Sequence, residues 1–304
     1  MELRVLRYFL AVAREESISG AAEYLHLTQP TLSRQLMELE AELGKQLLIR
    51  GNRHITLTEE GMLLRKRATE ILNLVERTQA ELQESDEAIA GEIYIGGGES
   101  DAIRLLAKVA QQLQQSSPQI RYHLFSGNAE EVGERLDKGL LDFGVMIEPG
   151  DLKKYDYLKL PYTERWGVVM PKSSPLAAQE HIRPQDLWEL PLLISRQEMD
   201  GGRLLHWLGK GIEDLNIVAT YNLVFNASLL VDEGLGYALT LDKLVNTSQD
   251  SRLCFRPLSP ALEMGLFVVW KKFQMFSKAA ERFLALLRRA VEAQEALSPG
   301  QPSP

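Results

Sequence analysis

The stretch Ser17-Ile18-Ser19-Gly20-Ala21-Ala22-Glu23-Tyr24-Leu25-His26-Leu27-Thr28-Gln29-Pro30-Thr31-Leu32-Ser33-Arg34-Gln35 decides how the N-terminal region folds. Ser17 is a good N-cap, so a short helix is expected from Ser17 to Leu25. Ala21 and Ala22 are small enough to let a second helix cross closely. After a break at His26-Leu27, Thr28 offers another N-cap, and a helix from Gln29 to Leu43 stops at Gly44. Leu32, Leu36, Leu39 and Leu43 recur at helical spacing and are expected to form one buried face. The opposite face carries Pro30, Thr31, Arg34, Met37 and Glu38, with Gln29 and Ser33 on its N-terminal flank. Gln29, Thr31, Ser33 and Arg34 are side-chain types that reach base edges and phosphates in a major groove. Two helices joined by a short break match helix-turn-helix geometry. A plain helical bundle with a solvated polar face shares this amphipathic pattern.

Working outward, Leu6, Phe9, Leu10 and Ala13 mark a preceding helix. Residues 48–57, with Gly51, Asn52, Ile55 and Thr56, suggest a short hairpin or wing. A long helix starts near Thr58, with Glu59 and Glu60 where the helix dipole favours acids. It meets no proline or glycine from Met62 to Ala90. On it Leu64, Ala68, Ile71, Val75, Thr78 and Leu82 form a heptad seam. A second copy of the chain is the simplest cover for that seam; packing onto the chain's own C-terminal region is the other. From Gly91 strands alternate with helices, which predicts a mainly parallel sheet. Strands are expected at Glu92–Gly96, Ile120–Phe125, Leu141–Ile147, Tyr155–Leu160, Trp166–Met170, Leu192–Ser195, Ile217–Tyr221, Tyr237–Leu241 and Leu266–Lys271. Helices are expected at Ile103–Gln115, Glu130–Lys138 and Ser277–Ala293.

The chain has 304 residues, 45% hydrophobic and 25% charged, which fits about two globular domains and excludes a collagenous or wholly disordered one. Cys254 is the single cysteine, so no internal disulfide forms, and the chain reads as cytoplasmic. The charged N-terminus does not read as a signal peptide, and no apolar run is long enough to span a bilayer. Net charge is −8, yet residues 1–67 carry 10 Lys and Arg against 9 Asp and Glu, while the remainder carries 24 against 33. The N-terminal fifth is thus the part that is not acidic on balance, which permits a nucleic-acid contact without demonstrating one.

The segment Leu6–Gly61 resembles the LysR-type transcriptional regulator family. The matching residues are Tyr8-Phe9, the opening stretch from Ser17 to Leu25 and from Thr28 to Gln35, Leu39-Glu40, Leu43-Gly44, Leu47-Leu48-Ile49-Arg50 and Leu57-Thr58-Glu59-Glu60-Gly61. Ile49 stands where the family usually has Phe, Glu60 where it often has Ala, and Gly20 where a polar residue is common. The resemblance implies an N-terminal all-α winged helix-turn-helix with a long linker helix, followed by a two-lobed α/β effector-binding domain like the periplasmic binding proteins. It divides the chain into a DNA-binding domain 1–58, a linker and dimerisation helix 59–90, an effector-binding domain 91–297 and a flexible tail 298–304. Lobe one would take 91–161 and 267–297, lobe two 162–266, with crossings near Tyr162-Thr163 and Ser259–Leu266. The implied function is promoter binding modulated by a small-molecule effector held between the lobes. Implied partners are double-stranded promoter DNA, the effector (a carboxylate among the candidates), a second chain in a homodimer or tetramer, and RNA polymerase, with no membrane.

Candidate DNA contacts are Gln29, Pro30, Thr31, Ser33, Arg34, Arg50 and Arg53, the last able to enter a minor groove. Candidate dimer contacts are Leu64, Ala68, Ile71, Val75 and Leu82. Effectors in such folds bind where strands end and helices begin. That points to Gly98, Ser100, Ile147, Ser195, Arg196, Phe225, Asn226 and Thr240. Ser100 is a candidate for holding a carboxylate, or merely an N-cap; Arg196 is the cationic partner, or a surface arginine. Glu99 and Asp101 weaken the case for a strongly anionic effector. No cofactor or metal is expected, since the five histidines show no paired metal spacing. Neither a Gly-x-Ser-x-Gly elbow nor a phosphate-binding lysine loop is present, so an enzyme is not expected. The runner-up reading is a cytosolic solute-binding module whose N-terminal helices serve assembly alone.

Overall fold

The computed structural model describes residues 1–51, 54–82, 90–148, 152–199 and 202–297. Arg53, residues 83–89 of the expected linker segment and the 298–304 tail lie outside them. The chain divides into two compact units, Met1–Glu84 and Ser85–Pro304.

The first unit is built from α1 (Leu3–Glu15), α2 (Ile18–Tyr24), α3 (Gln29–Leu43), the antiparallel ribbon β1 (Leu48–Arg50) and β2 (Ile55–Leu57), and α4 (Glu59–Leu82). Ser17 caps α2, its hydroxyl accepting the Gly20 N–H at 3.2 Å. Thr28 holds the N-cap position of α3 without capping; its hydroxyl pairs instead with that of Thr31 at 2.7 Å. Leu32, Leu36 and Leu39 are at most 2% exposed and pack with Phe9, Val12, Ala21 and Ala22. Leu43 is 40% exposed, contrary to the four-leucine face expected. The reason is local. Gly44 ends α3 at φ +64°, a conformation that favours glycine. The Glu40 carboxylate then accepts the N–H groups of Leu47 (2.7 Å) and Leu48 (3.0 Å), so the chain turns back and Leu47 and Leu48, not Leu43, enter the core.

The second unit contains β3 (Gly91–Gly97), α5 (Ile103–Ser116), β4 (Ile120–Ser126), α6 (Ala129–Asp137), β5 (Phe143–Ile147), β6 (Tyr155–Pro171), β7 (Leu192–Ser195), α7 (Arg203–Leu208), β8 (Ile217–Tyr221), α8 (Val224–Asp232), β9 (Tyr237–Leu241), β10 (Leu253–Pro257), β11 (Glu263–Lys271) and α9 (Lys278–Leu297). Its strand order is β4-β3-β5-β11-β6-β9-β7-β8, with β10 paired to β6. The sheet is mixed, not mainly parallel: β3, β4 and β5 are parallel, as are β7, β8 and β9, but β11 and β6 run antiparallel to their neighbours. The two expected strands Tyr155–Leu160 and Trp166–Met170 are one, β6, which pairs with β11 in its first part and with β9 and β10 in its second.

Both lobes have helices on both sheet faces, the arrangement that parallel strands require. In the first lobe Ile93, Phe143 and Val268 pack under Phe283 and Leu287 of α9, while Met146 and Val269 meet Val132 and Leu136 of α6. In the second, Leu192, Ile194 and Leu239 pack on Leu204 and Leu208 of α7, and Leu193 and Ala238 on Val224, Ala227 and Val231 of α8. β6 and β11 pass between the lobes side by side.

Candidate functional site

The N-terminal edge of α3 is open. Gln29, Pro30, Thr31 and Arg34 are exposed and Ser33 is half-buried, because the three inward leucines fix the helix roll. Arg34 Nε donates to Glu38 Oε1 at 2.8 Å, one turn along. The wing joins this edge: Arg50 Nη1, on β1, stands 3.5 Å from Ser33 Oγ. Six of the seven expected DNA contacts lie in the described residues, and Arg50 and Ser33 are brought together from 17 positions apart.

The linker seam is only partly free. Ala68 is fully buried and packs with Leu64, Ile71 and Leu72 against Leu6 and Leu10 of α1. The expectation that this seam needs a second chain is therefore corrected over its first two turns: α1 covers it. Val75 is half-buried, and Leu82 is 83% exposed. Leu63 and Leu74, exposed and three turns apart, share another face of α4.

Between the lobes lies a cavity of about 110 Å³ lined by Gly98, Glu99, Ile147, Trp166, Ser195 and Thr240, with Gln197, Glu198, Tyr221, Asn222, Val224, Leu241, Leu244 and Met264 completing it. Of the expected effector contacts, Gly98, Ile147, Ser195 and Thr240 line this cavity. Phe225 and Asn226 point outward, and Arg196 is exposed; none of the three lines the cavity. Helix α8 begins at Val224, so its first residue, not its first turn, meets the cleft. Ser100 is buried, but its expected ligand carboxylate is the chain's own: Ser100 Oγ donates to Glu164 Oε1 at 2.6 Å, and the Ala102 N–H donates to Ser100 Oγ at 3.0 Å. Ser100 is not the N-cap of α5, a position held by Ala102; it lies in the turn before the helix and bonds a carboxyl group of the chain itself.

Further carboxylates cross the cleft. Glu99 accepts the Val224 N–H at the start of α8. Glu148 pairs with Arg203, and Lys243 Nζ lies 3.7 Å from Asp101. Within the second lobe, Glu198 accepts the Leu204 N–H at 3.0 Å. Tyr221 donates to the Leu239 carbonyl, and burial pushes its phenol well above the ordinary range, so it stays a neutral donor. Among the described residues no lysine or arginine lines this cavity, and no cluster of His, Cys, Asp or Glu suited to a metal occurs.

Residues 3–62 match the family described as bacterial regulatory helix-turn-helix protein, lysR family, and residues 86–292 match the LysR substrate binding domain. The chain belongs to the LysR family. Its DNA-reading and substrate-binding domains make it a LysR-type transcriptional regulator. A curated relative, the Hca operon transcriptional activator HcaR of Escherichia coli (strain K12), is 31% identical over 297 residues, covering 95% of this chain and 97% of that protein. The crystal structure of CbnR, a LysR family transcriptional regulator, superposes with a TM-score of 0.76 at 21% identity over 96% of this LysR chain and 99% of CbnR. That likeness is one of fold. A structure of full-length CbnR complexed with target DNA gives a TM-score of 0.74 at 22% identity, covering 95% of this chain and all of that one.

Proposed function

We propose that this chain reads promoter DNA through Gln29, Pro30, Thr31, Ser33 and Arg34 of α3 with Arg50 of the wing, and that an effector between the lobes changes that binding. The observation that carries the reading is the exposed polar edge of α3, held outward by three leucines and flanked by Arg50 3.5 Å from Ser33. Arg53 belongs to the same proposal by its place in the wing sequence. We assign dimerisation to α4 through Val75, Leu82 and the exposed Leu63 and Leu74; a two-fold dimer presents two reading helices to a partly palindromic site. The protein acts as a regulator in the cytoplasm, not as a catalyst. Among the described residues no helix is long and apolar enough to cross a membrane.

The cleft supports a specific effector chemistry. Its volume is well below the ~300 Å³ at which ligand pockets begin, so the lobes part to admit a ligand. Glu99 and Glu198 line it without a facing cation, so the effector turns an uncharged or cationic group toward them. An anionic group there would meet two carboxylates in a low-dielectric site.

The test is a mobility-shift titration on duplex DNA at two salt concentrations. Arg34→Ala and Arg50→Ala each weaken binding about five- to a hundredfold if they reach bases. Each lowers the salt slope by about 0.9 if it meets a phosphate. Undiminished binding by both variants refutes the site assignment. Wild-type protein that binds no DNA favours a solute-binding module instead.

A further inference from the structure

A second cavity, of about 520 Å³, lies in the second lobe and shares no lining residue with the cleft. It is lined by Lys172, Ser174, Thr247, Gln249, Cys254 and Arg256, with a short helical strap, Pro175–Ala178, along one side. The ladder between β6 and β10 places these groups. Cys254 faces Met170 and Arg256 faces Val168 across it, so Cys254 and Arg256 share one face; Lys172 follows directly after β6, its N–H bonded to the Arg252 carbonyl.

The two cations are held by neutral atoms. Arg256 Nε donates to the carbonyls of Ala177 (3.0 Å) and Gln179 (2.8 Å), Nη1 to Phe255 (2.8 Å) and Nη2 to Ala177 (2.6 Å). Lys172 Nζ donates to the carbonyls of Ser248 (2.8 Å) and Gln249 (2.9 Å). A guanidinium has five N–H groups and an ammonium three. Donors therefore remain on both, and among the described residues no Asp or Glu lines the cavity. Elsewhere the surface arginines and lysines commonly meet a carboxylate, as in Arg34–Glu38, Arg165–Asp242 and Arg252–Asp232. Here the fork is fixed in place by carbonyls while its charge is left uncompensated, in a chain of net charge −8. Preorganised cations of this kind suit an oxyanion, whose two oxygens match the planar guanidinium while the ammonium supplies a point charge. Cys254 reports the same field: burial raises its thiol, and Arg256 and Lys172 pull it the other way.

We propose that this pocket is a second ligand site, taking a small oxyanion, phosphate or carboxylate, on Lys172 and Arg256. It is independent of the cleft and of the DNA-reading edge. The cleft is lined by the carboxylates Glu99 and Glu198 and this pocket by the cations Lys172 and Arg256, so one sensor domain would accept two ligands of opposite character.

Equilibrium dialysis of the full chain against radiolabelled inorganic phosphate, and separately malonate, in chloride buffer of fixed ionic strength tests it. Saturable binding of either anion is expected, weakened about tenfold or more by Lys172→Gln. The malonate and phosphate arms show which oxyanion is preferred. Arg256 also ties the strap to β10, so its variants risk unfolding and the exposed Lys172 carries the test. Arg50→Ala is expected to lose DNA affinity and keep phosphate binding. The proposal is overturned if neither anion binds saturably, or if binding survives Lys172→Gln undiminished, or if it disappears with Arg50→Ala instead.

Discussion

Replacing Ser100 with alanine probes the buried contact that stands where an effector carboxylate was expected. Ser100 and Glu164 are 8% and 5% exposed, so solvent does little to compensate for a lost bond. The hydroxyl donates to a carboxyl oxygen of Glu164 at 2.6 Å and also accepts the Ala102 N–H. A hydrogen bond to a charged group contributes about 1.5–3 kcal/mol, and a buried group left without its partner costs about 1–3 kcal/mol. These figures overlap, since both count the loss at Glu164, so Ser100→Ala is expected to destabilise the second unit by about 2–3 kcal/mol. In a domain of 150–250 residues each kcal/mol moves the melting temperature by roughly 2–4 °C, so a drop of about 5–10 °C follows. Glu164→Gln keeps the shape and an acceptor oxygen, losing only charge assistance, about 1 kcal/mol. Urea unfolding of both single variants and the double variant closes a cycle whose coupling is expected at about 1–2 kcal/mol. Ser100→Ala unfolding at the wild-type urea midpoint, or a coupling indistinguishable from zero, refutes the assignment of Glu164 as the stabilising partner of Ser100.

Two further outcomes follow from the same geometry. Glu92 is held below the usual carboxylate range by the Tyr94 hydroxyl, with His123 3.5 Å away adding to it. A depressed folded value stabilises the native state above the unfolded value near 4.5 and loses that contribution as pH falls through the folded one; Glu92→Gln should therefore lower the urea midpoint at neutral pH and flatten its decline below about pH 4.5, leaving the most acid end of the profile nearly unchanged. Gly61 stands at the start of α4, where an added Cβ would sit 2.2 Å from the Leu47 carbonyl oxygen; Gly61→Ala should lower the stability of the first unit by about 1–3 kcal/mol, read by thermal unfolding, and an unshifted transition would show that the ribbon yields freely.

What the sequence revealed depended on distance along the chain. The N-terminal helices were legible because leucine spacing, Ser17 and Gly44 act within one or two turns. Leu43 misled because the same spacing continues past the point where Glu40 redirects the chain. β10 passed unnoticed because Leu253-Cys254-Phe255-Arg256-Pro257 is short, lacks alternation and ends in proline. β6 read as two strands because Pro161 interrupts it; the β6–β11 register shifts between Gly265 and Phe267, opposite this segment, where a missing N–H is tolerated. The sheet looked more parallel than it is because strand–helix alternation is a local signal, whereas the antiparallel pairs join segments about a hundred residues apart. In the cleft the strand ends were found, but the Ser100–Glu164 pair spans 64 positions and left no local trace.

The pairing of β6 with β11 also limits how the sensor can move. These strands connect the lobes while hydrogen-bonded to each other, so they behave as a torsion bar and not as a pair of loose strings. A bar of this kind yields by twisting, so the lobes part by turning about it. Any message from the second lobe thus arrives in the first as a rotation, whose reach grows with the length of the arm that carries it.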